Sequence, residues 1–189
     1  LTLTCTNTYT GTTTVLTNGG ALLINGNNSA ASGIVTVGTN STLGGSGIIG
    51  GISTNNGIIA PGDSVGTLTF NTNMTMAATS LLSFDAGDRV DVLGQLRLDT
   101  GWKLTLNAST NWALGGHTVL FDYGTTNANF NLLPTITDNT GLGGTPTLSN
   151  DGSIVWLEGY NVVPEPSTLA LLGLTGIAAI GYRLRRRNR

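Results

Sequence analysis

Short runs in which apolar and polar residues alternate recur along this chain, and that repetition restricts its fold more than any other feature. The pairs Val35/Val37, Leu68/Phe70, Met74/Met76, Leu96/Leu98, Leu104/Leu106 and Val119/Phe121 each straddle one residue, with Gly, Asn, Thr or Asp at the borders of the run. A period of two puts successive side chains on opposite faces of an extended backbone, and the runs are too short for ordinary helices. They read as strands.

The strands come in phrases that resemble one another: "GTTTVLTNGGALLING", "GIVTVGTNSTLGGSGIIGG", "GIIAPGDSVGTLTF" and "NMTMAATSLLSFDAGDRVDVLGQLRLD". Comparable strands return every 15 to 25 residues or so, a short period of the kind that marks stacked repeats. The expected fold is all-β, a right-handed parallel β-solenoid over residues 1–126. In such a coil each turn has an apolar inner face that only its neighbours can bury, while Thr and Asn line the outside. Glycine at the corners permits bends with positive φ, and Asn18-Gly19 reads as one such turn. A β-sandwich is the rival architecture, because evenly spaced short strands suit it as well.

Composition narrows the function. Of 189 residues, 39% are hydrophobic and only 10% charged, against roughly 25% charged in ordinary soluble domains. The apolar share suffices for a core, so one domain plus a tail is expected. Ahead of the tail the cations are Arg89, Arg97 and Lys103 alone, which excludes a surface that tracks nucleic-acid phosphates. Cys5 is the single cysteine and gets no role. The chain opens directly on Thr-rich strand text without a basic and apolar leader, and reads as a fragment or a processed product.

Three of the phrases, ending in Ala60-Pro61-Gly62-Asp63-Ser64-Val65-Gly66-Thr67-Leu68, resemble the autotransporter-associated β-strand repeat, most clearly over residues 9–100. That resemblance implies the β-helical passenger stalk of an exported surface protein. It implies no ligand.

Residues 127–162 read as a closing hairpin and linker, with "TLSNDGSIVWL" turning at Asn150-Asp151-Gly152. Trp102, Trp112 and Trp156 are expected to cap the open end of the coil, with a carbohydrate-stacking surface as the functional alternative. Residues 163–189 differ in kind. Pro164 and Pro166 remove two backbone donors and hold Glu165 extended, so Pro-Glu-Pro is an exposed handle. Ser167 or Thr168 then caps the single C-terminal transmembrane helix expected of this chain, whose apolar run, Leu169 to Tyr182, carries no charge. At 1.5 Å per residue this run spans about 21 Å, and extension over 168–184 with arginine snorkelling brings it closer to a bilayer core of about 30 Å. Arg183, Arg185, Arg186, Arg187 and Arg189 form a membrane stop that leaves the C-terminus in the cytoplasm.

Pro-Glu-Pro, apolar span and basic cluster, in that order, resemble the PEP-CTERM sorting signal of Gram-negative, biofilm-forming bacteria. The resemblance implies recognition by an exosortase, a membrane-embedded cysteine transpeptidase, with cleavage near Pro164, Glu165 and Pro166. Those residues are substrate, not catalyst. The path it implies runs from an inner-membrane intermediate to the cell surface or the extracellular space.

Other motifs give little. "GSGIIG" (Gly45 to Gly50) fits a bare dinucleotide-binding pattern, but no helix and no βαβ unit follow. Asp85, Asp88 and Asp91 match no calcium loop and read as solvated turn carboxylates. His117 has no Cys or His companions, so neither a metal nor a cofactor is expected. The functional expectation is a non-enzymatic structural or adhesive protein of the surface or matrix, processed by exosortase, with exopolysaccharide as a further partner. The competing class is a solenoid hydrolase or lyase acting on polysaccharide, or a carbohydrate-binding module. A hydrolase requires two carboxylates facing one groove, about 5 to 10 Å apart.

Overall fold

The computed structural model describes residues 1–108, 112–113, 116–127 and 130–161. Among them every regular element is a strand, and the strands coil into a parallel β-solenoid of about five turns. The sandwich alternative is excluded, because strands from Thr2–Leu3 to Thr135–Asp138 pair in parallel with the strand one turn away.

Each full turn contributes one strand to each of three faces. The first face is a seven-stranded sheet that runs from Thr2–Leu3 through Gly20–Ile24, Ser41–Gly45, Ile58–Pro61, Leu81–Phe84 and Lys103–Leu106 to Thr135–Asp138. The second stacks Thr13–Val15, Val35–Val37, Ser53–Asn55 and Met74–Met76. The third stacks Asn27–Asn28, Ile48–Ile49 and Thr67–Phe70. The long strand Arg89–Leu98 joins the last two faces, pairing with Thr67–Phe70 through its first half and with Met74–Met76 through its second.

Alternation decides what each strand buries. Leu22, Leu43, Ile59, Leu82 and Leu104 lie in register down the inside of the first face, and all five are buried. Each such side chain withdrawn from water contributes about 1.5–3 kcal/mol. No turn can bury this row alone, so stacking and core formation are one event.

Turn chemistry fixes the rise. Asn18 (φ 57°) and Asn40 (φ 56°) occupy the left-handed region one turn apart, which Asn tolerates better than most residues. Asn40 donates to the Asn18 amide oxygen at 3.1 Å. The turn expected at Asn18-Gly19 is present, closed by the Gly19 N–H on the Leu16 carbonyl at 2.7 Å. At another corner Gly11, Gly33 and Gly51 stack so closely that a Cβ on Gly33 or Gly51 would collide with the carbonyl oxygen of the glycine one turn before.

Two expectations need correction. The Val119/Phe121 alternation breaks: Leu120 and Phe121 are both buried while Val119 is half-buried, because the pairing shifts register between Val119 and Phe121. The three tryptophans do not form one cap. Trp102 is fully buried between the turns, edge-on to Phe121 at 6.3 Å, and its indole N–H donates to the Asn131 carbonyl at 2.8 Å. Trp112 packs against Tyr160, with ring centroids 6.3 Å apart, whereas Trp156 is half-buried on the outer side of its strand.

Candidate functional site

The end of the coil from which the tail departs is closed by an antiparallel hairpin. Gly143–Asn150 pairs with Ile154–Asn161, and Ile154–Asn161 in turn pairs antiparallel with the last third-face strand, Thr118–Thr126. The turn at Asn150-Asp151-Gly152 stands as expected. The Asn150 side-chain oxygen accepts the Gly152 N–H at 2.7 Å and the Tyr123 hydroxyl at 2.8 Å. Asp151 accepts the Ser153 and Ile154 N–H groups, both at 2.9 Å, and these bonds hold its carboxyl below the usual range. Tyr160 is buried under this end, which pushes its phenol up to about 12. Antiparallel pairing ends the coil because the hairpin follows no further turn.

The strand finishes at Asn161, and the proposed handle Pro164, Glu165 and Pro166 begins three positions later. These three residues, the span 168–184 and Arg183, Arg185, Arg186, Arg187 and Arg189 lie outside the described residues. Among the described residues no helix is long and apolar enough to cross a membrane.

The aspartates of the sequence reading separate by environment. Asp88 is buried, contrary to the expectation of a solvated carboxylate. Its two oxygens accept the Gly66 N–H at 2.9 Å and the Asp85 N–H at 2.8 Å, tying the Pro61–Thr67 loop to the turn above it. Burial raises its pKa to about 6, against the pull of those two bonds. Asp91 faces outward and is gripped through two oxygens by Arg89, Nε to Oδ1 at 2.6 Å and Nη2 to Oδ2 at 2.7 Å.

Asp91 lies directly opposite Asp122 on the next strand, so two carboxylates share the outer side of the third face. Like charges in register repel, and Arg89 offsets that repulsion. One strand further on, Trp156 and Glu158 occupy the same sheet. Trp156 stacks on His117 at 5.4 Å, and Glu158 lies 3.9 Å from His117 Nε2. Glu158 also accepts the Ser149 hydroxyl, which holds its carboxyl below the usual range. The lone histidine thus has company that its sequence neighbours do not reveal, because Glu158 and Ser149 reach it only through the antiparallel pairing. With Ser149 bonded to Glu158 and not to His117, these three do not form a nucleophilic triad.

Among the described residues no group of three His, Cys, Asp or Glu side chains can hold a metal ion. The Gly45–Gly50 stretch runs from the strand Ser41–Gly45 into Ile48–Ile49, so no helix terminus is there to receive a phosphate.

Comparison with known proteins places the tail. Residues 162–187 match the PEP-CTERM protein-sorting motif. The match begins one residue after the last described strand ends. No curated protein and no solved structure matches the chain. A PEP-CTERM signal implies an exported, cell-surface-directed protein that is processed by exosortase. In this chain the signal follows the hairpin that caps one end of a β-solenoid, so the cargo it sorts ends in a paired strand.

Proposed function

We propose that this is a structural protein of the bacterial surface or extracellular matrix, in which a non-enzymatic solenoid body is the cargo and residues 163–189 are the address. The observation that carries the reading is the sorting motif at 162–187, directly behind the hairpin that ends the coil. The body suits a spacer: its stability is shared among repeated turns, and it presents long flat faces. The resemblance of residues 9–100 to autotransporter-associated repeats supports the same stalk-like role. In this reading the span 168–184 arrests the precursor in the inner membrane with the five arginines on the cytoplasmic side. Exosortase then takes the extended Pro164-Glu165-Pro166 segment.

Expression in a host that has the exosortase tests it. Replacing Pro164 and Pro166 with Ala allows the segment to turn helical and regain its amides, so the precursor is expected to accumulate at full length in the membrane fraction. Processing and release at the wild-type rate would remove the role given to these residues.

One observation favours a second reading, a hydrolase or lyase acting on polysaccharide: Asp91 and Asp122 face outward side by side with Trp156 one strand away. Against it, Asp91 is held in a bidentate ion pair that opposes its work as an acid or nucleophile. A panel of polysaccharides incubated with the protein is expected to give no turnover. Turnover abolished by Asp122→Asn would establish the second reading.

A further inference from the structure

From Leu1 to Gly62 the chain contains no Asp, Glu, Lys, Arg or His. Residues 1–62 therefore bring no charged side chain to the first turns, where outer faces of soluble proteins ordinarily mix both signs; Asp63, which accepts from the Asn25 amide at 2.8 Å, is the first carboxylate beside them. The second face gives this stretch a regular chemistry. Thr14, Thr36, Thr54 and Thr75 are paired in register, so one hydroxyl stands on the outside of each of four successive turns, about 4.8 Å apart. Beside this row, two residues before Thr36 and Thr54 and so on the same outer side, lie Ile34 and Ile52, placed by the Thr13 N–H on the Ile34 carbonyl at 2.8 Å and the Val35 N–H on the Ile52 carbonyl at 2.9 Å. Both isoleucines are about half exposed, at 52% and 51%.

Strand propensity accounts for the threonines, which fit an outward position on a sheet. It does not account for two stacked isoleucines left in water. The row ends where Arg97, in register with Thr75, brings the first charges onto this face in its pair with Asp99.

The size of the face restricts its occupant. Four strands about 4.8 Å apart, each about five residues long at 3.3 Å, make roughly 300 Å². A stable contact with a second copy needs about 800 Å² per partner, so a protein dimer is poorly served. A polymer is not, because it adds weak contacts turn by turn. The lack of charge selects a neutral polymer. Threonine hydroxyls both donate and accept, as sugar hydroxyls do, and the isoleucine methyls match the C–H faces of sugar rings.

We propose that this face binds a neutral glycan chain laid along the solenoid axis, over the Thr14–Thr36–Thr54–Thr75 row and the flanking Ile34 and Ile52. The inference rests on the matrix reading above and adds a ligand class and a location to it. It places the glycan on the second face, away from Asp91, Asp122 and Trp156.

The test is co-sedimentation of the full-length chain with an insoluble neutral β-glucan and, separately, with an acidic polysaccharide, at low and high salt. Wild type is expected to sediment with the neutral glucan equally at both salt concentrations. The double variant Ile52→Asp, Thr54→Asp is expected to bind at least tenfold less. Thr105→Asp, on the outer side of the first face, is expected to bind like wild type. If the aspartate variant fails to fold by circular dichroism, Ile34→Gln with Ile52→Gln replaces it with the same expected loss. No binding to the glucan, binding unchanged in the folded variants, or binding only to the acidic polymer and lost in salt would each overturn the proposal. So would self-association seen by light scattering and abolished by these variants, which would assign the face to a second copy. Tail processing is read in a separate assay, so loss of this inference leaves the sorting role standing.

Discussion

The turns before residue 62 and those after it share one strand geometry but fill their interiors differently. In the early turns the inner residues are aliphatic or polar, with no buried aromatic ring among them. Ser53 and Asn55 occupy inward positions in register with Val35 and Val37, and Asn55 is satisfied locally, donating to the Gly57 carbonyl at 3.0 Å and accepting its N–H at 3.3 Å. Later turns carry aromatic rings: Phe84 and Trp102 each meet Phe121 edge-on at 6.3 Å. Near the N-terminal end Val15, Leu22 and Val35 are still 8%, 5% and 6% exposed, and Phe84, Trp102 and Phe121 are sealed at 0%. There an open cleft of about 530 Å³ lies among Leu1, Leu3, Tyr9, Val15, Leu16 and Leu22, while the other end is closed by its hairpin. One repeat can therefore be held by close backbone stacking at glycine corners, or by side-chain volume, and the two halves of this body divide those means between them.

The largest expected effects lie at the centre of each device. Trp102→Ala removes the biggest sealed side chain and its bond to Asn131, and should cost about 3–5 kcal/mol. Gly51→Ala drives a methyl into the Gly33 carbonyl and is expected to cost a comparable amount, although it deletes no contact. Urea unfolding of both variants checks this. If Gly51→Ala shifts the midpoint by less than a surface substitution, the early turns are not held by close stacking at that corner.

Asp88 should give an intermediate effect, and its pH dependence sharpens the contrast, since residues 1–62 hold no carboxylate, histidine, lysine or arginine. Its two oxygens accept two different N–H groups, so Asp88→Asn turns an NH₂ toward one of them and should cost about 1–3 kcal/mol. The sign with pH is set by burial. The folded pKa of about 6 lies above the ordinary 3.8, so the contribution of this group is fully present below about 3.8 and is lost as pH rises through about 6. Wild type should gain more melting temperature than Asp88→Asn between pH 7 and pH 4. Equal gains would mean that Asp88 titrates normally.

The smallest effect belongs to the outer ion pairs of the later turns. Arg97→Gln should cost no more than about 1 kcal/mol, because its pair with Asp99 is partly exposed and screened by salt. Arg89→Gln should cost somewhat more, since it leaves Asp91 facing Asp122 without relief. Thermal melts at low and high salt distinguish the two: added salt is expected to narrow the deficit of Arg89→Gln by screening the aspartates.

The repeat period and the two-residue alternation were legible because each is local. A strand shows its inner face in five residues, and a turn shows itself in Asn18-Gly19 or Asn150-Asp151-Gly152. The alternation at Val119/Phe121 misled because a shift of register there depends on the hairpin strand that pairs from elsewhere in the chain. The tail was legible for a related reason: Pro-Glu-Pro, an apolar run and arginines act as a linear signal, and a signal read by another protein must be complete in sequence.

Sequence alone thus determined the stacked-strand architecture and the sorting address, since both are written in contiguous residues. Tertiary structure alone decided which polar groups became special. Asp85, Asp88 and Asp91 lie within seven residues of one another. One of them is buried against the amide of Gly66, and another is set beside Asp122 with Arg89 between them and full repulsion. Nothing local separates the three, because burial and pairing are properties of the neighbouring turn. The same holds for the threonine row and its isoleucines, which stand about twenty residues apart in the chain and become one surface only when the coil brings its turns together at the spacing of a β-sheet.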